Sequence, residues 1–155
     1  MRSLTPYPIW IGHANDGREF RTILELGIEA IVQLAMEEAA IQPPRELISL
    51  RFPLLDGAGN NRNVLRLAID GVANLIRRNV PTLVCCGAGM SRSPAIAAAA
   101  ISVVTHSPVD ETLRTIFQHH SVDISAALYL ELRAVLSAPR NALVISDHET
   151  QSGSG

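Results

Sequence analysis

Between Pro81 and Val104 the chain changes character twice within a few residues, and few architectures accommodate that change. Pro81 to Cys86 is a short apolar run that begins just after Asn79, a residue suited to ending a helix, and it reads as a buried strand. Gly87-Ala88-Gly89-Met90 breaks the run. Ser93-Pro94 then introduces Ala95 to Val104, an apolar helix with proline in its first turn. The small side chains of Ala97, Ala98, Ala99 and Ala100 let that helix pack closely on a sheet.

The rest of the chain alternates in the same manner. Pro8 to Ile11 reads as a strand, followed by a helix capped by Asn15 or Asp16, carrying Phe20, Ile23 and Leu24, and stopped by Gly27. Ile28 to Leu34 is a second strand. Glu37 to Pro44 is a loop, and Leu47 to Phe52 is a third strand. Asn63 to Asn79 is the clearest helix. It places Leu65, Ala68, Ile69, Val72, Leu75 and Ile76 on one face, with Arg77 and Arg78 complementing the dipole at its end and Asn60 or Asn61 as its cap. Ser107-Pro108-Val109-Asp110 matches a capping box opening a helix with Leu113, Ile116 and Phe117 inward, and a last helix covers Ile124 to Leu136. Strands alternating with helices predict an α/β sandwich with a central, mostly parallel sheet, whose active loop lies at the C-terminal edge of the strands. Residues 1–145 form one domain, and 146–155 a polar, disordered tail.

The glycine loop carries the chemistry. A strand, a loop of this composition and a helix N-terminus turn successive amides inward as an anion nest. The backbone groups of Gly87, Ala88, Gly89, Met90, Ser91 and Arg92 are the candidate phosphate ligands. The same field favours the thiolate of Cys86, the candidate nucleophile. Arg92 offers a planar fork for two phosphoryl oxygens. Cys85, next to Cys86, reads as a small buried hydrophobe rather than a redox partner, because a disulfide between adjacent residues forces a strained ring. Cysteine with arginine six positions later is a weak signal alone; the flanking strand and helix make it specific.

Cys85-Cys86-Gly87-Ala88-Gly89-Met90-Ser91-Arg92-Ser93 resembles the signature loop of the dual-specificity protein phosphatases, whose pattern is His-Cys, any residue, Ala-Gly, any residue, Ser-Arg-Ser. Ile11 to Asp16 with Gly27-Ile28 is similar to that family's opening segment, and Phe52 to Gly57 to its general-acid loop, so the likeness spans roughly residues 7 to 137. Cys85 departs from the pattern, where the family has a histidine that helps fix the loop, which implies a slower enzyme rather than an inactive one. The resemblance implies a cysteine-dependent phosphatase acting through a phosphocysteine, with no metal or cofactor. In it Asp56 is the general acid and Ser93 bonds the departing thiolate. A short chain lacking the recognition loop of tyrosine-specific relatives implies a shallow pocket that admits phosphotyrosine and phosphoserine or phosphothreonine alike.

On its own residues Asp56 reads as an ordinary turn aspartate, since Asp-Gly is a strong turn signal; it becomes an acid candidate with the cysteine loop and the resemblance, because Asp-Gly-Ala-Gly-Asn is a flexible loop able to carry a carboxyl over bound phosphate. An acid that starts protonated and a thiol that starts ionised predict a bell-shaped pH profile with its optimum below neutrality. His13 reads as a loop hydrogen-bonder, and Arg62 and Arg66 as a solvated face or as a rim that steers phosphate. His119, His120 and Asp123 read as solvated groups near a helix end rather than metal ligands.

A net charge of −2 and a pI near 6.2 argue against nucleic acid as a partner. Gly87, Ala88 and Met90 lack the basic groups that phosphoinositides require, which leaves a phosphoprotein or small phosphoester substrate. Two adjacent cysteines suit a reducing cytoplasm, and no segment reads as a signal peptide or membrane span. Two other classes stay open at this point: a phosphate-binding module with weak catalysis, and another cysteine enzyme such as a sulfurtransferase or arsenate reductase.

Overall fold

A computed structural model of the chain describes residues 1–139, so the expectations for the tail fall outside the described residues. Five strands form one sheet: β1 (Arg2–Ser3), β2 (Ile9–Gly12), β3 (Ala30–Ala35), β4 (Ile48–Leu54) and β5 (Thr82–Cys85). Their spatial order is β1-β2-β5-β3-β4, with only β1 antiparallel to its neighbour. The helices are α1 (Phe20–Glu25), α2 (Arg62–Arg77), α3 (Arg92–Thr105), α4 (Val109–Phe117) and α5 (Ala126–Ser137).

The sheet separates two apolar clusters of unequal size. The larger joins Ile9, Ile11, Val32, Leu34 and Val84 to α2, α3, α4 and α5; the smaller joins Ile31, Leu83 and Cys85 to Ile23 of α1 and to Ile41 and Leu47. Strand alternation therefore sends the adjacent cysteines to opposite faces, Cys85 into the small cluster and Cys86 into the large one. Helix α3 runs through the middle of the large cluster, with every residue from Arg92 to Ser102 buried. The run of alanines from Ala97 to Ala100 lets this helix be packed by the sheet, α2, α4 and α5 together, with Ile96 and Ile101 filling the wider gaps. Helix α2 is amphipathic as its spacing predicts, and Asn79 stops it in the left-handed conformation at φ 53°.

Three local expectations need correction. The first helix starts at Phe20 rather than at Asn15 or Asp16, because those residues form a separate 3-10 turn over Asp16–Arg18, and the Asp16 carboxylate accepts from the His13 amide at 3.0 Å. Ser107 does not cap α4: its amide closes α3 against the Ser102 carbonyl at 3.1 Å, and the cap position falls on Pro108. Arg66 is neither a solvated face nor a rim. Its guanidinium donates to the carbonyls of Val135, at 2.5 Å, and Ala138, at 3.2 Å, fastening α2 to the end of α5.

Candidate active site

Four parallel strands end on one edge of the sheet, and each delivers a different piece there. β2 ends in Gly12-His13, β3 leads to Glu37, β4 to Asp56, and β5 to Cys86, with Gly12 and Gln33 both in register with Cys85. This is the edge at which a parallel sheet gathers its site residues.

The loop from Cys86 to Ser91 is fixed through main-chain bonds. The Cys86 amide donates to the Gly12 carbonyl at 3.3 Å, the Ala14 amide to the Gly87 carbonyl at 3.1 Å, and the Asp123 amide to the Met90 carbonyl at 2.9 Å. Gly89 adopts φ +72°, and a Cβ there would lie 2.9 Å from the carbonyl of Gly12, so the loop and the end of β2 can approach only with glycine between them. Among the described residues the amides of Gly87 to Ser91 have no hydrogen-bond acceptor within the protein. Unpaired consecutive donors at a helix N-terminus are the pattern of an anion nest.

Arg92 is 4% exposed, yet most of its donors are spoken for. Nη1 donates to Glu37 Oε2 at 2.6 Å and to the Leu54 carbonyl at 2.9 Å, and Nη2 donates to Glu37 Oε1 at 2.5 Å. Nε is buried without a partner. The end of the guanidinium is thus clamped, while its Nε–Nη2 edge keeps two parallel N–H groups, the geometry that binds phosphate bidentately. Hydrogen bonding to Arg92 lowers the Glu37 carboxyl from its ordinary 4.5 to about 2, and the same bond raises the guanidinium above its ordinary value, with Cys86 and Asp56 adding to the rise. Gly87 sits over this pair: a Cβ there would meet Glu37 Oε1 at 3.0 Å and Arg92 Nη2 at 3.2 Å.

Glu37 is positioned by its own loop. Buried Gln33 donates to the Ala39 carbonyl at 2.8 Å and accepts from the Ile41 amide at 3.1 Å, while Arg51 reaches the Glu38 carbonyl at 3.2 Å. From the sequence, Glu37 to Pro44 is a loop placed to shape the rim of the site, with no role for Glu37 itself. The signal available was positional, a carboxylate two residues beyond a buried parallel strand beside the cysteine strand.

Asp56 arrives from the other side. Its Oδ1 accepts from the Ser91 hydroxyl at 2.5 Å, and that hydroxyl in turn accepts from the Ser125 amide at 3.0 Å. The serine proton is therefore directed at Oδ1, and Oδ2 has no hydrogen-bond partner among the described residues. Asn60, expected as a possible helix cap, instead ties its own loop, accepting from the Leu55 amide at 2.8 Å and donating to the Gly57 carbonyl at 2.9 Å. Asn61 is the cap of α2, accepting from the Asn63 amide at 2.8 Å.

The remaining candidates have simple placements. The Cys85 thiol is 1% exposed, and burial, reinforced by the neighbouring Cys86, pushes it up to about 12, so it stays neutral as a packing group against Gly17. Both cysteines are free thiols. Ser93 is buried and its hydroxyl donates to the Gly12 carbonyl at 3.4 Å. His13 is bonded locally, with Nδ1 accepting from the Asp16 amide at 3.4 Å.

No protein-family model matches the chain, and no curated protein matches it in sequence. Solved structures do match. Human DUSP28 superposes with a TM-score of 0.68 at 16% identity, over 83% of this chain and 91% of its own. The human tyrosine phosphatase-like serine/threonine/tyrosine-interacting protein gives 0.71 at 17% identity, over 86% and 93%. OH1 from the Orf virus, a tyrosine phosphatase of triple substrate specificity, gives 0.63 at 21%, over 88% and 83%. The chain therefore has the dual-specificity phosphatase fold, as its sequence resemblance implied. Among the described residues no helix is long and apolar enough to cross a membrane.

Proposed function

We propose that this chain is a cysteine-dependent phosphatase that hydrolyses phosphotyrosine and phosphoserine or phosphothreonine esters of proteins or small molecules. The observation that carries the reading is the bond from Ser91 to Asp56, which puts a carboxyl from a different strand directly on the loop that holds Cys86 and Arg92. A phosphate-binding module has no need for that carboxyl.

In the first step the Cys86 thiolate attacks phosphorus, the P–O bond to the leaving group breaks, and Asp56 gives that oxygen its proton. The loop amides and the Nε–Nη2 edge of Arg92 hold the equatorial oxygens as charge develops on them. In the second step Asp56 takes a proton from water as its oxygen attacks phosphorus and the S–P bond breaks. Ser93 turns its hydroxyl from the Gly12 carbonyl to the departing sulfur. The products are an alcohol or phenol and inorganic phosphate, and no step uses a metal.

The test is steady-state hydrolysis of para-nitrophenyl phosphate with reductant and EDTA across pH 5 to 8, comparing the native chain with Cys86→Ser and Cys85→Ala. Turnover that is abolished by Cys86→Ser and survives Cys85→Ala is expected. An inactive native chain that still binds phosphate sinks the catalytic reading in favour of a binding module.

A further inference from the structure

Helix α5 lies outside the catalytic loop and outside every motif of the sequence, yet one of its side chains reaches the acid loop. Glu131 Oε1 accepts from the Gly59 amide at 2.6 Å, and Oε2 accepts from the Asn60 amide at 3.2 Å and from Asn60 Nδ2 at 3.0 Å. Asn60 is the hub of that loop, since the same side chain holds Leu55 and Gly57 on either side of Asp56. Partial burial opposes charge on Glu131, but the bonds from Asn60 and Gly59 outweigh it and hold the carboxyl below its ordinary value. At neutral pH the group is an acceptor-only clamp with two oxygens for three N–H donors.

The same helix also acts at its start. Ser125, the cap of α5, donates its amide to the Ser91 hydroxyl and so directs the serine proton onto Asp56. One rigid helix therefore sets the acid loop at one point and the acid's oxygen at another. A two-glycine loop such as Asp56-Gly57-Ala58-Gly59 has high conformational freedom when untied. Proton donation requires its carboxyl within hydrogen-bond reach of the leaving oxygen.

We propose that Glu131 is a positioning residue for the acid, pinning the 55–60 loop through Asn60 and Gly59 so that Asp56 stands preorganised over the phosphate site. The proposal rests on the phosphatase reading and deepens it. It separates this chain's acid loop from one that must close over substrate at each turnover.

The experiment compares Glu131→Ala, Glu131→Gln and Asp56→Asn on two aryl phosphates, one with a strongly acidic phenol leaving group and one with a weakly acidic phenol. A leaving group that departs unprotonated has little use for the acid, so Glu131→Ala is expected to lower kcat about 10-fold or more on the poor leaving group and by less than about 3-fold on the good one. Asp56→Asn should give the same pattern more strongly, and Glu131→Gln, which keeps one carbonyl acceptor, should fall between native and alanine. Amide exchange at Gly59 and Asn60 should quicken in Glu131→Ala, with exchange in β5 unchanged. Equal losses on both substrates, or none on either, overturn the positioning role while leaving the phosphatase reading intact. Unchanged exchange at Gly59 and Asn60 overturns the clamp whatever the activity. A native chain with no Cys86-dependent turnover removes the phosphatase reading instead, and with it the acid that Glu131 would position.

Discussion

The two loops that meet at this site are held by different means. The catalytic loop, Cys86 to Ser91, hangs on main-chain bonds to Gly12, Ala14 and Asp123, whereas the acid loop, Leu55 to Asn60, hangs on the side chains of Asn60 and Glu131. Main-chain bonds survive most side-chain changes but demand close backbone approach, so such a loop is intolerant wherever a Cβ would intrude. A loop held by side chains inverts this: it has room for added carbon and little tolerance for the loss of one polar group.

The sharpest way to break that comparison is to place the same methyl group in each loop. In the catalytic loop, Gly89→Ala meets Gly12 backbone at 2.9 Å from a left-handed conformation, and neither the contact nor the φ of +72° can relax cheaply. We expect loss of phosphate-ester turnover on the order of 10²-fold, since sub-ångström misplacement of the nest is felt directly. Near-native turnover in this variant would show that the loop is not rigidly seated on β2.

An intermediate effect is expected at Glu37. Glu37→Gln leaves the buried Arg92 without its charged partner, and turnover should fall about 10-fold as the guanidinium loses its fixed orientation. Pairing lowers the folded-state carboxyl value from 4.5 to about 2, so its contribution to stability is fully present above about 4.5 and drains away as pH falls toward about 2. Urea unfolding of native and Glu37→Gln chains should therefore show a stability gap at pH 6 that narrows across this window. Solvent screening at the half-exposed carboxylate keeps the gap modest. A gap that widens on acidification rules out the ion pair as its source.

The smallest effect is expected for Gly57→Ala in the acid loop. A Cβ there meets nothing within 4 Å and the backbone is not left-handed. Stability should change by less than about 0.5 kcal/mol, with turnover unchanged. A large loss, measured by the same unfolding and kinetic assays, would mean that the acid loop is as tightly packed as the catalytic one.

How much of this was legible depended on distance along the chain. The order of strands and helices was readable because apolar period and breakers are local, and so was the contiguous run from Cys86 to Ser93. Asp56 was readable only through its resemblance to an acid loop. Glu37 lies in a loop that the sequence places only at the rim, Arg66 reads as a solvated face or rim although it ties two helices together, and of Asn60 and Asn61, both of which read as caps, only Asn61 caps α2. Each of these depends on partners 55 to 72 residues away or on which of two adjacent residues reaches a helix end. Ser107 shows the same limit at short range, because a matching four-residue pattern does not decide where α3 releases the chain.

By itself the sequence determined the α/β alternation, the glycine loop at a helix start, and a thiol and a guanidinium spaced to share that loop, since all of these follow from residues within one turn or one strand of each other. Only the tertiary structure decided that Cys85 and Cys86 face opposite cores, that Glu37 clamps the end of Arg92 and leaves Nε unpaired, and that Glu131 of α5 bonds Gly59 and Asn60. Those outcomes depend on strand order and helix placement, which are settled by packing across the whole sheet.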